Sequence, residues 1–178
     1  MAKLITFQGY TPKLHPNTFV ADGAKLIGNL ELAEGASVWY NCVLRADVNS
    51  VRIGHFTNIQ DNSTLHEESP RAGHNDSGHP TILGDYVTVG HGCILHACTI
   101  EDYCLIGMGA IILDGAVIGK GSIVGAGAVV TKGTVIPPFS VVLGTPGKVV
   151  KTMPETTITE RQEHAEHYWQ LAQEHKGE

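Results

Sequence analysis

The chain has no apolar run approaching the ~20 residues that cross a bilayer. Its first ten residues, Met1 to Tyr10, lack the long apolar segment of a secretory signal. No CxxC pair occurs among its four cysteines, Cys42, Cys93, Cys98 and Cys104, which suits a reduced, cytoplasmic protein. Basic residues are few and scattered, 12 Lys and Arg against 18 Asp and Glu for a formal charge of −6, which argues against a nucleic-acid or anionic-membrane surface. Aromatic residues make up only 6% of the chain, so large rings cannot fill its interior. What is plentiful is glycine, 21 in 178 residues, together with small and β-branched side chains. That composition suits tight, repeated turns around a thin core.

The turns recur at a fixed interval. Ile100, Ile106, Ile112, Ile118, Val124, Val130, Ile136 and Val142 are six apart, and the residues four beyond them (Cys104, Ala110, Ala116, Ser122, Ala128, Thr134, Ser140) are nearly all small. Neither a helix period nor a long alternating strand has this spacing; short strands joined by sharp, often glycine-containing turns do. Upstream, Val20, Leu26, Leu32, Val38 and Leu44 keep the rhythm. It is interrupted before Ile53, again between Leu65 and Leu83, and by one missing residue before Ile100. If three hexapeptides make one coil, side one carries 20, 38, 59, 89, 106, 124 and 142. Side two carries 26, 44, 65, 95, 112 and 130, and side three 32, 53, 83, 100, 118 and 136. Coils should stack about 4.8 Å apart, the spacing of neighbouring strands.

This register organises the histidines. His66 and His96 each follow the core leucine of side two, Leu65 and Leu95, and should stack one coil apart. Two imidazoles at that spacing can converge on one ion with Zn–N bonds of about 2.0–2.1 Å. His91 lies two residues beyond Val89 on side one, so it reaches such an ion only from a neighbouring chain. A heterologous contact of side one on side two closes around a triangular prism as a threefold ring, which predicts a trimer with metal sites between subunits. Arg45 falls in the His66/His96 column, and Asp61, beside Gln60, falls in the His91 column. These two suggest an intersubunit ion pair with Asp47 as a second acceptor. The alternative is polar decoration of the prism's exterior; five such residues in two adjacent columns favour the site.

Other residues read more plainly. Cys42, Cys93 and Cys104 take the small position and are expected in the core, whereas Cys98 is out of phase and open to exposure. His15, His55, His164, His167 and His175 are expected to be solvated. His74 and His79 fall in the insertion after His66, expected to be a solvated loop or else a rim that relays protons. Gly144-Thr145-Pro146 ends the rhythm, and a helix fits from about Thr157 to His175. Its apolar stripe is Ile158, Ala165, Tyr168, Trp169 and Ala172, with a capping box at Thr159 and Gln162. The expected organisation is residues 1–150 as the repeat domain and 151–178 as a helix packed on it.

Leu44-Arg45-Ala46-Asp47, Asn58-Ile59-Gln60-Asp61-Asn62, Leu65-His66, Val87-Thr88-Val89-Gly90-His91, Leu95-His96 and Ile106-Gly107-Met108-Gly109 together resemble the gamma-class carbonic anhydrase family over residues 10 to 175. The resemblance implies an all-β, left-handed parallel β-helix of hexapeptide repeats, about seven triangular coils, with a C-terminal α-helix alongside. The left hand comes from the family and runs against the usual right-handed crossover. It further implies a homotrimer with interface metals (Zn²⁺, or Fe²⁺ or Co²⁺ in some members) bound by His66 and His96 of one chain and His91 of the next. Gln60 would orient the metal-bound water, Arg45, Asp47 and Asp61 would form the interface salt-bridge set, and Tyr168 would approach the site. Bound water losing its proton near pH ~7 is a general property of carbonic anhydrases, not a value read from this chain. The resulting hydroxide would attack CO₂ to give bicarbonate.

The chain departs from the founding members at Val48, where they carry a glutamate, and at Ser69, where they carry a second; Glu67 and Glu68 directly follow His66 instead. Two other functions stay open: an acyl-CoA thioesterase or acyltransferase on the same fold, and a non-catalytic trimeric metal-binding scaffold.

Overall fold

A branched residue at every sixth position leaves room for a strand of two or three residues and a turn. The computed structural model, which describes residues 2–70 and 77–177, is built that way. Strands such as Thr88–Val89, Leu105–Ile106 and Ile123–Val124 pair in parallel one coil apart. On side one, Val38 lies opposite Ile59, Ile59 opposite Val89, and Val89 opposite Ile106. On side two, Leu44, Leu65, Leu95 and Ile112 stack in that order. On side three, Ile53, Leu83, Ile100 and Ile118 do the same. The three-sided register expected from the spacing is therefore the observed one. Two longer strands, Lys25–Leu32 and Val43–Ile53, run on round a corner. They join sides two and three into one 12-stranded sheet, while side one is a separate 8-stranded sheet.

The inward residues of all three sides form one continuous core, from Leu26 and Leu44 through Leu95 and Ile106 to Ile136 and Val142. Each fully buried Leu, Ile or Val contributes about 1.5–3 kcal/mol relative to exposure. Cys42, Cys93 and Cys104 are buried as expected; Cys98 is buried too, against expectation. The reason is the missing residue before Ile100. Counted back from Ile100, Cys98 holds the place that Cys93 holds before Leu95 and Cys104 before Ile106. All three accept an amide from the coil above through their carbonyls, Cys98 from Ile82, Cys93 from Thr64 and Cys104 from Thr88. Burial pushes the Cys42 and Cys93 thiols up to about 11 and those of Cys98 and Cys104 to about 12.

Many corners need a left-handed residue. Glycine supplies it at Gly109, Gly115, Gly121, Gly127 and Gly133. Along one corner, which Gly121 also joins, most of these residues are instead aromatic: Phe56, Tyr86, Tyr103 and Phe139 have φ of 53, 56, 59 and 58°. Such a conformation costs an L-residue roughly 1–2 kcal/mol. Stacking offsets part of it, since the Phe56 and Tyr86 rings lie 5.3 Å apart at 8° and the Tyr86 and Tyr103 rings 5.2 Å apart at 2°.

After the last coil, Ser140–Leu143 pairs antiparallel with Lys148–Thr152, and the chain then turns into α1 (Ile158–Lys176). The helix lies against side one, burying Ala165 and Ala172. Tyr168 and Trp169 join a cluster with Phe19 and Trp39. The expected capping box is not used. A 3₁₀ turn at Glu155–Thr157 leads into the helix, Thr157 is the N-cap without a side-chain bond, and Gln162 donates instead to Glu166 at 2.8 Å. Among the described residues, no helix is long and apolar enough to cross a membrane.

Candidate metal centre

Side two presents the stacked pair directly. His66 is opposite His96 in the ladder, and His66 Nδ1 lies 3.1 Å from His96 Nε2. The far nitrogen of each ring is held by a carboxylate. His66 Nε2 is 3.0 Å from Asp47 Oδ1, and His96 Nδ1 makes a short contact with Asp114. A carboxylate retains the N–H on the nitrogen it faces, so in the neutral rings the two inner nitrogens direct lone pairs at each other. A cation between them satisfies that arrangement. Two nitrogens bound tetrahedrally at 2.0–2.1 Å stand about 3.3 Å apart, close to the observed separation, so the residues fit a metal ion.

His91, on the turn after Thr88–Val89, belongs to the other sheet and does not join this pair within the protomer. Its side chain is nevertheless prepared in the same way: Nδ1 lies 2.7 Å from Asp61 Oδ2, leaving Nε2 outward. Asp61 Oδ1 also accepts the Tyr40 amide at 3.1 Å, which fixes the carboxylate. Arg45 donates to both oxygens of Asp47 at 2.8 and 2.7 Å, so within one chain it pairs with Asp47 and not with Asp61. Burial raises the Asp47 carboxyl, but the bonds from Arg45 and His66 outweigh it and hold it below the usual carboxylate value.

Gln60 is buried on side one, where its Nε2 donates to Asn58 Oδ1 at 3.2 Å. Tyr168 of α1 lies beside it. Burial raises the Tyr168 phenol, Asp61 raises it further, and a hydrogen bond from Gln60 pulls the other way. Gln60 and Tyr168 share a cavity of about 280 Å³ with Thr88, Leu105, Met108 and His164.

Three residues matter in this region beyond the expected ligands: sequence reasoning passed over Asp114, expected His164 to be solvated, and noted Glu67 only as following His66. Asp114 is two residues beyond Ile112 in the next coil of side two, one position past the residue opposite His96, and its carboxylate reaches back to that ring. His164, expected to be solvated, bonds through Nδ1 to the Thr88 hydroxyl at 3.2 Å. His175 likewise bonds the Tyr40 hydroxyl at 2.9 Å, and His55 contacts Asp85 at 3.1 Å. Glu67 is the third. It is buried, its Oε1 accepts the amides of Val48 at 2.9 Å and Asn49 at 3.1 Å, and its Oε2 stands 4.0 Å from His66 Nε2. It also completes the one close His/carboxylate group found among the described residues, Asp47, His66 and Glu67. Asp47 in that group is already engaged by Arg45, so the paired imidazoles are the better cation site. Glu68 contacts Lys132 at 3.2 Å, and His79 lies 3.9 Å from Glu68. His74 lies outside the described residues.

Comparison with known proteins agrees with the architecture. A family model described as dynactin subunit 5 matches residues 19–173. A hexapeptide transferase family protein from Anaplasma phagocytophilum has the same fold, with a TM-score of 0.86 and 36% identity over 96% of each chain. At the level of class, then, the chain is a left-handed hexapeptide-repeat β-helix protein. Its sequence is 44% identical to a Geobacillus kaustophilus protein named carbonic anhydrase, over 96% of this chain and 90% of that one. It is 46% identical to gamma carbonic anhydrase 1, mitochondrial, of Arabidopsis thaliana over 94% of this chain, and it spans about 60% of that relative's length. The chain belongs to the gamma carbonic anhydrase family.

Proposed function

We propose that the protein hydrates CO₂ to bicarbonate as a metal-dependent carbonic anhydrase. The observation that carries this reading is the imidazole pair 3.1 Å apart, each ring backed by its own carboxylate. In the proposed assembly, a homotrimer, His66 and His96 of one subunit and His91 of the partner subunit hold the ion. Zn²⁺ is the metal of choice for three neutral imidazoles, with Fe²⁺ and Co²⁺ the alternatives. Held by three neutral ligands, such an ion is a Lewis acid that makes water nucleophilic near neutral pH. The chain's residues do the rest. Asp47 and Asp114 keep the outer ring nitrogens protonated, so the inner ones are free to bind. Asp61 does the same for His91. Gln60 orients the nucleophilic water, Tyr168 walls the approach, and Arg45 and Asp61 pair across the subunit contact. Glu67 is sealed from solvent and engaged by two backbone amides, so it does not replace the glutamate absent at Val48 as an exit for protons. The four unpaired buried thiols fit a reducing compartment, the cytoplasm on this reading.

The test is elemental analysis of anaerobically purified protein followed by CO₂ hydration on the same sample. Near one metal per protomer with hydration that His91→Ala abolishes is the expected result. Full metal loading without hydration overturns the activity and keeps the site. The largely apolar lining of the Gln60 cavity favours one competing reading, an acyl-CoA enzyme, which a CoA titration would support.

A further inference from the structure

A line of hydrogen bonds crosses from the C-terminal helix into the site. His164 Nδ1 meets Thr88 Oγ1 at 3.2 Å, Asn58 Nδ2 donates to Thr88 Oγ1 at 2.9 Å, and Gln60 Nε2 donates to Asn58 Oδ1 at 3.2 Å. Asn58 and Gln60 are buried, as is Thr88, so water does not compete for these bonds. The chain of donors has a direction. Thr88 Oγ1 already receives the Asn58 amide, so its own proton goes to His164 Nδ1, which accepts in the neutral tautomer that carries its proton on Nε2. Asn58 must then present its oxygen to Gln60. The Gln60 amide nitrogen is thus spent on Asn58, and its carbonyl oxygen is the end left for the site.

We propose that Thr88 and His164 are positioning residues that set the polarity of the Gln60 amide, and that protonation of His164 reverses it. With a proton on Nδ1, His164 donates to Thr88. The Thr88 hydroxyl then donates to Asn58, which turns its NH₂ toward Gln60, and Gln60 turns its own NH₂ toward the site. An acceptor aimed at the nucleophilic water becomes a donor. This inference rests on the role given to Gln60 in CO₂ hydration and adds to it the device that holds the amide one way round.

Geometry allows the switch to operate. His164 is exposed, so protons reach it, while its Nδ1 meets the Thr88 hydroxyl. Loss of hydration lowers its proton affinity, and the charges of Arg161 and then His167 on its own helix lower it further. From the helix Tyr168 packs edge-on to it at 5.4 Å. From the coils, the cavity walls beside it (Gln60, Thr88, Leu105, Ile106 and Met108) carry no charge. The neutral, accepting form is therefore the resting one near pH 7.

The experiment is side-chain amide NMR of Gln60 and Asn58 in the metal-loaded protein, alongside CO₂ hydration kinetics, for the wild type and for Thr88→Val, Thr88→Ser and His164→Asn. The expected wild-type behaviour is a pH-dependent shift of both amides with a midpoint below about 6.5, the ordinary imidazole value. His164→Asn abolishes that shift together with the matching acid-side step in kcat. Thr88→Val lowers kcat about tenfold with KM and metal content unchanged, the scale of one misdirected buried hydrogen bond, and Thr88→Ser restores it. Amide signals that ignore pH, or that shift equally in His164→Asn, overturn the proposal. A kcat for Thr88→Val equal to that of the wild type also overturns it. Because the amide signals need no substrate, a pH shift confined to chains with His164 upholds the switch even where no variant hydrates CO₂, an outcome that refutes the activity alone.

Discussion

The coils from Ile100 to Val142 and those from Val43 to Leu95 are made from the same hexapeptide, yet they serve different ends. In the later coils the rhythm never breaks, glycine turns most corners, and the buried inward positions are aliphatic, alanine or serine apart from Cys104. In the earlier coils the rhythm breaks twice, and Thr57, Asn58, Gln60, Ser63, Glu67, Thr81 and Thr88 are buried polar residues. Burying a polar group is unfavourable unless it is hydrogen-bonded, and in these coils nearly every such group has a partner. The regular half maximises packing; the irregular half gives up some of it to hold His66, His91, Gln60 and their carboxylates in fixed orientations. Two irregularities lie beside the histidines. The residues added before Ile53 let the strand Val43–Ile53 bring Asp47 beside His66, and the shortened turn before Ile100 follows His96 directly.

The contrast can be broken from either side. The largest effect is expected for His96→Ala, which should lower bound metal at least a hundredfold and CO₂ hydration with it, while the melting temperature of the metal-free protein stays within a few degrees; elemental analysis and calorimetry decide this. The mirror substitution is Ile118→Ala in the regular half. It should cost about 2–5 kcal/mol in denaturant unfolding and leave metal stoichiometry intact, because a cavity under side three touches no ligand. A weaker version of the first is Asp114→Asn, which keeps the shape but no longer holds the N–H on His96. Metal affinity, read by competition with a chelator, should fall about 10- to 100-fold. If Asp114→Asn changes nothing, the carboxylate is a bystander and the site ends at its histidines.

The smallest effect concerns pH and belongs to both halves. The folded state keeps the four thiols neutral up to about 11 or 12, whereas unfolded cysteine ionises near 8.5. Their folded values are raised, so the stabilisation is complete below the unfolded value and is lost as pH rises through the folded one. Melting temperatures should decline from about pH 9 upward, less steeply in Cys104→Ala. An alkaline decline equally steep in the variant would remove burial of that thiol as the cause.

Much of this was legible in the sequence because a solenoid is local. A six-residue period assigns each inward residue to a side, and counting coils then stacks His66 on His96 with no further information. What escaped was what the period does not encode. How α1 sits against side one is decided by Ala165 and Ala172 fitting close to the coils, and only that placement brings His164 to Thr88. Asp114 escaped because its carboxylate reaches up one coil, a contact of side-chain length and not of strand position. The burial of Glu67 is not encoded by the period, since it follows a histidine on the outward side of the strand. The chain leaves the strand Thr64–His66 at that point, so the next side chain turns inward and meets the amides of Val48 and Asn49.

The aromatic corner has an optical consequence. Phe56 and Tyr86 stand in consecutive coils on opposite sides of the long insertion, and Tyr103 continues the stack. Rings held nearly parallel at about 5 Å couple their electronic transitions, so the column is a built-in chromophore whose near-ultraviolet circular dichroism depends on the coils staying in step. A slip across the insertion would extinguish that signal while leaving the far-ultraviolet strand spectrum almost untouched. The protein thus carries an unlabelled gauge of whether the segment between its two stacked histidines has closed correctly.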